Sequence, residues 1–383
     1  MGRCARMSAR VGAVVLAAGV VASMALGQFI PFLGAVGEEF ALPLSAVGWL
    51  SSLITLVAGL TCLPLGIWLE GRRLRGIFLA ALLVLASAGL GAAFAGGAAA
   101  LFAVRVIQAA GYALVMITGP SLLARLPTGR ARQSALALWG LCIPAGLTLA
   151  TAGAALVGTA GWRGQAVGVG GITLVVAGLA ATLPRDTRTG RRERADQGSG
   201  AGAGWAVAAV AAGFALIALI GVSVVTILPA YLTAESGLSD TSSSLLTAVV
   251  SAGSVLGSLA AGAGLRGGAR PARLIAAALL MAPLSAGIFT PMPVAVVAVC
   301  AAAVLVLNGL AVSALFAALP AVAGDRVAVA VAALTQAGSL GTLLGPPLYA
   351  GAVETMGWGA AIAVSAAISS AGVGCALAAL RGR

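Results

Sequence analysis

The sequence predicts an all-α membrane protein with twelve bilayer-spanning helices, on three observations. The chain of 383 residues is 61% hydrophobic and 8% charged, with a mean hydropathy of +1.09, whereas soluble domains carry about 25% charged residues. It divides into apolar runs of about 20 residues, the length that crosses a bilayer. Its arginines fall almost entirely into alternate loops, as in a chain that crosses the membrane many times.

Twelve apolar segments account for the predicted helices. They cover residues 11–33, 45–69, 77–95, 98–124, 134–159 and 164–183, and then 205–232, 242–264, 273–290, 293–321, 327–352 and 358–380. Three arginines precede the first segment, as in a signal peptide, but this segment continues past Pro31 and further spans follow. We therefore expect an uncleaved first helix.

The arginines set the expected orientation. All 22 basic residues are arginines. If the N-terminus is cytoplasmic, 20 of them lie in cytoplasmic segments, Arg163 lies outside, and Arg105 lies within a span. Because cytoplasmic loops carry the excess of basic residues, we expect a cytoplasmic-membrane protein with both termini inside. The formal charge of +12 therefore follows from topology and does not indicate nucleic-acid binding.

A polar segment, PRDTRTGRRERADQGSGAGAG at 184–204, separates two sets of six predicted helices. We expect a flexible cytoplasmic linker between an N-terminal bundle, 1–183, and a C-terminal bundle, 205–383. Three pairs of anchor residues recur at offsets of 198, 194 and 196: Pro31 and Pro229, Ser45 and Ser239, and Gly161 and Gly357. This offset predicts a parallel repeat whose axis lies along the membrane normal.

The loop GIWLEGRRLR at 66–75 resembles the loop motif of the major facilitator superfamily. Gly66 and Glu70 hold the first two motif positions, and Arg72, Arg73 and Arg75 supply the basic run. The sequence has Glu where the family usually has Asp, and it lacks the glycine between the basic residues. A glycine permits close helix approach and the acid can face a helix N-terminus, so these residues could form a gate. The alternative is simple anchoring by positive charge.

The stretch RVIQAAGY at 105–112 resembles the fourth-helix motif of the same superfamily. Arg105, Gln108 and Tyr112 share one helix face at i, i+3 and i+7. The resemblance implies a twelve-helix fold in which helices 1, 4, 7 and 10 line a central cavity, with transport by alternating access. We expect the polar stripe to face that cavity.

Other polar residues within the spans are further candidates for the cavity: Gln28, Trp139, Tyr231, Asn308 and Gln336. A second group on the eighth predicted helix has helical spacing: Ser244, Thr247, Ser251, Ser254 and Ser258. Small hydroxyl residues are common where membrane helices pack closely. We interpret this second group as a packing surface.

Arg105 raises the question of what neutralises a charge at membrane depth, which costs at least ~2.5–3.5 kcal/mol. The ten acidic residues all fall in loops or at helix ends, and the chain has no histidine. Three alternatives remain. Arg105 donates to helix-end carbonyls and to Gln28, or it is the counter-ion of an anionic substrate, or it reaches Glu38 or Glu39 and gates the cavity.

The sequence favours a secondary carrier for a small anion or a neutral metabolite. The alternatives are an efflux carrier for hydrophobic compounds and, in another class, a membrane sensor or scaffold that transports nothing. An enzyme is disfavoured because no acid–base pair, nucleophile triad or metal cluster is visible. We expect no cofactor and no metal, and a monomer whose partners are the lipid bilayer and a small-molecule substrate.

Overall fold

The computed structural model describes residues 2–69, 72–124, 138–157, 161–183, 201–323 and 327–381. Long helices dominate the described residues and are numbered here in chain order. They are α1 (Gly2–Gly27), α2 (Leu44–Ser52, continued by Leu56–Leu69), α3 (Leu74–Ala92), α4 (Ala98–Ala124), α5 (Cys142–Val157), α6 (Gly161–Ala181), α7 (Ala201–Ser236), α8 (Asp240–Arg266), α9 (Pro271–Ala276, continued by Met281–Ile288), α10 (Val294–Ala323), α11 (Val327–Met356) and α12 (Gly359–Arg381).

Ten of these helices are long and apolar enough, within the described residues, to cross a membrane. The apolar part of α5 is shorter, at Cys142–Ala154. Helix α11 is 30 residues long but carries several polar residues and two prolines. Each predicted span matches one observed helix, so the chain is a multi-pass all-helical membrane protein.

One predicted boundary is corrected by the structure. The linker was expected at 184–204, but α7 begins at Ala201, so the last four of those residues are helical. Residues 184–200 lie outside the described residues. Alanine favours helix continuation, and the segment AGAG runs directly into the apolar α7.

Two helices of the first half are interrupted within their candidate membrane spans. Helix α1 ends at Gly27, and a 3₁₀ turn at Ile30–Phe32 leads into a short helix, Leu33–Glu39. Helix α2 is broken by a 3₁₀ turn at Leu53–Thr55. Such breaks leave main-chain carbonyls without their usual intrahelical donors. In lipid those carbonyls must find donors within the protein.

Helix pairing within the first half recurs in the second half. Helix α1 packs on α5 and α6, α3 packs on α4 and α6, and α2 packs on α4. The same pairs, with each helix number increased by six, pack against each other in the second half. Between the halves, α2 packs on α11 and α5 packs on α8. If the two halves are interchanged, the α2–α11 pair becomes the α8–α5 pair, so the contacts between the halves have the same two-fold relation as the helices within them.

The two ends of the bundle are named here by their helix ends. At the terminal face, where α1 begins and α6 ends, Arg10 donates to Thr182 Oγ1 at 2.9 Å. At the opposite face, the backbone N–H of Ser45 donates to Glu354 Oε1 at 2.8 Å. Ser244 also reaches the carbonyl of Pro31, at 3.5 Å. The contacts at the opposite face join the two halves.

Glycines allow the closest helix approach in the second half. A methyl group on Gly257 of α8 would lie 1.9 Å from the carbonyl oxygen of Val306 on α10. One on Gly309 of α10 would lie 2.0 Å from the carbonyl oxygen of Ser254. Helices α8 and α10 therefore pack backbone to backbone, as small residues permit in membranes.

Candidate functional site

A cavity of about 260 Å³ lies between the two halves. Four helices of each half line it: α1, α2, α4 and α5, and α7, α8, α10 and α11. It runs from Thr55 and Thr342 near mid-bundle to Trp139, at the start of the α5 region. The cavity therefore occupies the half of the bundle nearer the terminal face, and the cross-half contacts of the opposite face lie beyond it.

The first half contributes a mostly apolar wall. Leu26, Met116 and Leu147 line it, with Tyr112 and Trp139 as its aromatic members. The Trp139 indole is wedged between helices, because a methyl group on Gly119 of α4 would lie 2.2 Å from it and one on Gly19 of α1 would lie 2.8 Å from it. These glycines hold the ring at the terminal end of the cavity.

The second half contributes most of the polar side chains of the cavity, and its side is called the polar wall here. Its polar side chains come from α8, α10 and α11: Ser251, Ser254, Ser258, Asn308, Thr335, Ser339 and Thr342. Asn308 is 8% exposed and donates from Nδ2 to the carbonyl of Ile217 at 2.6 Å. It can lie this close to α7 because Gly221 has no side chain; a methyl group there would meet Asn308 Oδ1 at 2.5 Å. No residue that lines the cavity within the described chain carries a formal charge.

Arg105 lies outside the cavity lining and is fully buried. Its guanidinium donates five hydrogen bonds: Nε to Leu50 O at 2.9 Å, Nη1 to Ala25 O at 2.8 Å and to Gln108 Oε1 at 3.0 Å, and Nη2 to Leu26 O at 3.3 Å and to Ser51 O at 2.7 Å. A guanidinium has five N–H donors. All five are therefore engaged, and the ring of Phe29 lies 4.9 Å from the guanidinium carbon.

The four carbonyl acceptors of Arg105 belong to two helix ends. Ala25 and Leu26 lie in the last turn of α1, and Leu50 and Ser51 lie in the last turn of Leu44–Ser52. Carbonyls of a last helical turn lack intrahelical donors and carry the negative end of the helix dipole. The single side chain of Arg105 thus donates hydrogen bonds to the free carbonyls at both helix breaks. This is the first of the three alternatives for Arg105, with helix-end carbonyls as acceptors, but Gln28 is not among them.

Gln108 and Gln28 are also fully buried and outside the cavity lining. Gln108 accepts from Arg105, while its Nε2 has no hydrogen-bond partner among the described residues. A methyl group on Gly89 of α3 would lie 3.2 Å from that nitrogen. Neither amide atom of Gln28 has a partner within the described chain. The expected polar stripe on α4 therefore divides: Arg105 faces two helix ends, Gln108 lies between Arg105 and α3, and Tyr112 lines the cavity.

Tyr231 lies in an aromatic cluster and not in the cavity lining. Its ring packs edge-on against Phe289 and Trp358, with centroid distances of 5.7 and 5.0 Å. Its hydroxyl donates to the carbonyl of Thr290 at 2.5 Å. Trp162 stands in a similar cluster in the first half, 5.9 Å from Phe29. These clusters hold the helix ends together in each half.

Gln336 joins the halves and is not among the residues that line the cavity. Its Oε1 accepts from the backbone N–H of Leu63 at 2.9 Å, and its Nε2 lies 3.5 Å from the carbonyl of Leu60. Pro64 follows in α2 and has no N–H to offer the Leu60 carbonyl four residues earlier. The amide of Gln336, from the second half, stands where that donor is missing.

The loop motif is only partly described, because Glu70 lies outside the described residues. The side chain of Arg72 stacks 3.8 Å over the ring of Trp68 and donates to its carbonyl at 2.9 Å. Arg75 donates to the carbonyl of Ala181, at the end of α6. Gly66 has open space around its Cα. Arg73 directly precedes α3 and is exposed. The gate expected from this motif stays a prediction.

Three of the eight expected cavity residues line the cavity: Tyr112, Trp139 and Asn308. The polar stripe of α11, Thr335, Ser339 and Thr342, was missed, although its spacing of four and three residues is visible in the sequence. Ser251, Ser254 and Ser258 were interpreted as packing residues, and they line the cavity as well. Hydroxyl residues have the same spacing on a packed face and on a cavity wall, so periodicity alone does not separate the two.

Comparison with known proteins gives one family match. A sequence model described as Major Facilitator Superfamily matches residues 15–346. No curated protein sequence matches the chain significantly.

Solved structures of low sequence identity share the fold. A bacterial homologue of the human lysosomal transporter Spinster, in an inward-facing and occupied conformation, superposes with a TM-score of 0.75 at 15% identity over 97% of this chain and 94% of its own. The D-xylose–proton symporter gives 0.77 at 18% identity over 97% and 96%. A point mutant of the nucleoside transporter NupG gives 0.72 at 14% identity over 97% and 99%.

Proposed function

Because the chain belongs to the major facilitator superfamily, we propose that it is a secondary carrier that moves a small uncharged solute across the cytoplasmic membrane by alternating access. The observation that carries this proposal is a cavity between the halves whose lining residues, within the described chain, have no formal charge. Members of this family are carriers and not enzymes.

The contacts between the halves support alternating access. At the opposite face the halves meet through Ser45 and Glu354, and a methyl group on Gly48 would lie 3.1 Å from the backbone of Pro346. The cavity lies on the other side of these contacts, towards the terminal face. The arginine distribution favours a cytoplasmic terminal face. In that orientation, the contacts at the opposite face would separate the solute site from the outside.

Charge at the site favours an uncharged solute over an anion. An anionic substrate would need a cationic side chain, or several free N–H donors together, at its binding site. Arg105 is the only arginine in the interior of a predicted span, and its five donors are engaged by the protein. Two proteins of similar fold are named for D-xylose and for nucleosides, which are polar compounds without formal charge.

The apolar first-half wall supports a second candidate, export of a hydrophobic compound. Leu26, Met116, Ile143 and Leu147 would contact the apolar surface of such a solute. Apolar lining with a few polar groups is usual in small-molecule sites. This candidate shares the fold and the cavity and differs in the polarity of the solute.

Transport assays on reconstituted protein test the proposal. Liposomes with purified protein would be assayed for uptake of labelled D-xylose, uridine and lactate. We expect saturable flux of a neutral solute and none of lactate. Thr342→Trp fills the cavity and should abolish the flux, whereas Val249→Trp, at a position of α8 that is 71% exposed, should not. Saturable binding without any flux would instead indicate a sensor or scaffold, and lactate flux would restore the anion alternative.

A further inference from the structure

The hydroxyl groups of the polar wall have mostly used their donors inside the protein. Thr335, Ser339 and Thr342 each donate to the carbonyl four residues earlier in α11, at 2.8, 2.9 and 2.9 Å. Ser258 donates to the carbonyl of Gly309 at 3.3 Å. A hydroxyl has one donor and two acceptor lone pairs. What these four side chains can offer the cavity is therefore acceptor capacity.

Three other residues of this wall retain donors: Ser251, Ser254 and Asn308. The Ser254 hydroxyl makes no hydrogen bond within the described chain. Ser251 is 3% exposed, and its hydroxyl has no hydrogen-bond partner among the described residues. Asn308 uses one amide N–H on the carbonyl of Ile217, and an amide NH₂ has two. Acceptor lone pairs thus outnumber free donors on the second-half wall, and the facing wall is mostly apolar, with Tyr112 and Trp139 among its few polar members.

This excess of acceptors over free donors discriminates between solutes. A carboxylate or phosphate has only acceptors and would face the oxygens of the wall with no cation to offset their repulsion. A methyl ether leaves wall oxygens buried and unpaired, which costs more than the lost hydrogen bond alone. A solute O–H or N–H group donates a hydrogen bond to these oxygens and so satisfies them.

We propose that the cavity selects an uncharged amphiphilic solute, with an apolar face turned towards α4 and α5 and an edge of O–H or N–H donors received by the hydroxyl oxygens of Ser339 and Thr342. This rests on the proposed carrier function and names its substrate class. Ser254 and Asn308 each donate to an oxygen of the same solute.

Two probes of matched shape test the proposal. Resorcinol has two O–H donors and an apolar ring, and 1,3-dimethoxybenzene has the same ring without donors. Their dissociation constants would be measured calorimetrically on protein in lipid nanodiscs, with empty nanodiscs as the blank for partitioning. We expect resorcinol to bind at least about tenfold more tightly. Equal affinities, tighter binding of 1,3-dimethoxybenzene, or binding of neither probe would overturn the proposal, as would tighter binding of benzoate.

Variants of the polar wall test whether its hydroxyl groups cause the preference for resorcinol. The double variant Ser339→Ala, Thr342→Val keeps volume and should reduce the preference for resorcinol about fivefold or more. Thr342→Ser keeps the hydroxyl and should retain it. Thr173→Val is the matched control, since Thr173 on α6 is also buried and bonded four residues back, at 2.7 Å, and does not line the cavity. An unchanged preference in the double variant contradicts the assignment. Because binding is measured without transport, absent flux in liposomes would overturn the carrier function and leave this preference standing.

Discussion

The carboxylate of Glu354, near the end of α11, accepts a hydrogen bond from the backbone N–H of Ser45 at 2.8 Å. Ser45 lies in the first turn of α2, whose N-cap residue, Pro43, makes no side-chain cap. The corresponding helix of the second half is capped by its own Ser239, which accepts from the N–H of Ser242. The first half thus obtains from the second half the helix cap that its own sequence lacks.

The Glu354 contact should bias the carrier towards the state in which the opposite face is closed. A helix cap contributes about 1 kcal/mol, so Glu354→Ala should shift the open-to-closed ratio of that face about fivefold. Glu354→Gln keeps an acceptor without the charge and should shift it less. The shift is measured by electron paramagnetic resonance, as the distance between spin labels at Phe94→Cys and Met292→Cys in loops of that face. Glu38→Gln, a neighbouring exposed acid, serves as the control and should leave the distances unchanged.

Replacement of Arg105 should first affect folding. Arg105→Met leaves four buried carbonyls without this donor, and each buried unsatisfied group costs about 1–3 kcal/mol. Arg105→Lys offers at most three donors in a different geometry and should fall between wild type and Arg105→Met. Thermal unfolding of the purified variants gives the order. Arg163→Met removes an ion pair whose side chains are 41% and 37% exposed and should cost little. Wild-type stability of Arg105→Met, combined with lost binding of an anion, would support the counter-ion alternative.

The backbone contact between α8 and α10 should tolerate no side chain. Gly309→Ala and Gly257→Ala place a methyl group about 2 Å from a carbonyl oxygen, so each should destabilise the protein by about 1–3 kcal/mol or more through overpacking. Gly168→Ala on α6 has open space and should be neutral or slightly stabilising, since alanine favours helix by up to about 1 kcal/mol over glycine. Thermal unfolding compares the three variants, and equal unfolding temperatures would contradict the close packing.

The pairing of Gln336 with Pro64 predicts coupled mutational effects. Gln336→Leu should weaken the contact between the halves by about 0.5–1.5 kcal/mol. Pro64→Ala restores the N–H that the Leu60 carbonyl lacks, so the same change in that background should cost less. A double-mutant cycle in thermal unfolding measures this coupling. Strictly additive effects would show that the amide does not replace the missing donor.

The sequence was sufficient for the number and order of the helices, because hydropathy measures directly whether a segment can lie in lipid. It also placed Tyr112, Trp139 and Asn308 among the cavity residues. It could not show that α1 breaks after Gly27, since the residues around the break are apolar and the proline follows only at Pro31. Because the sequence does not reveal those breaks, it shows no partners for Arg105, and the same residues are equally consistent with a counter-ion for an anionic substrate.

The acceptors around Arg105 have a consequence for evolution. Four of its five partners are main-chain carbonyl oxygens, which every amino acid supplies. Positions 25, 26, 50 and 51 can therefore change identity among related chains while the arginine stays fixed, provided that the two helix ends stay in place. Where position 105 does change among aligned homologues, it should co-vary only with position 108, and methods that infer contacts from correlated substitutions will miss the residues that hold this charge.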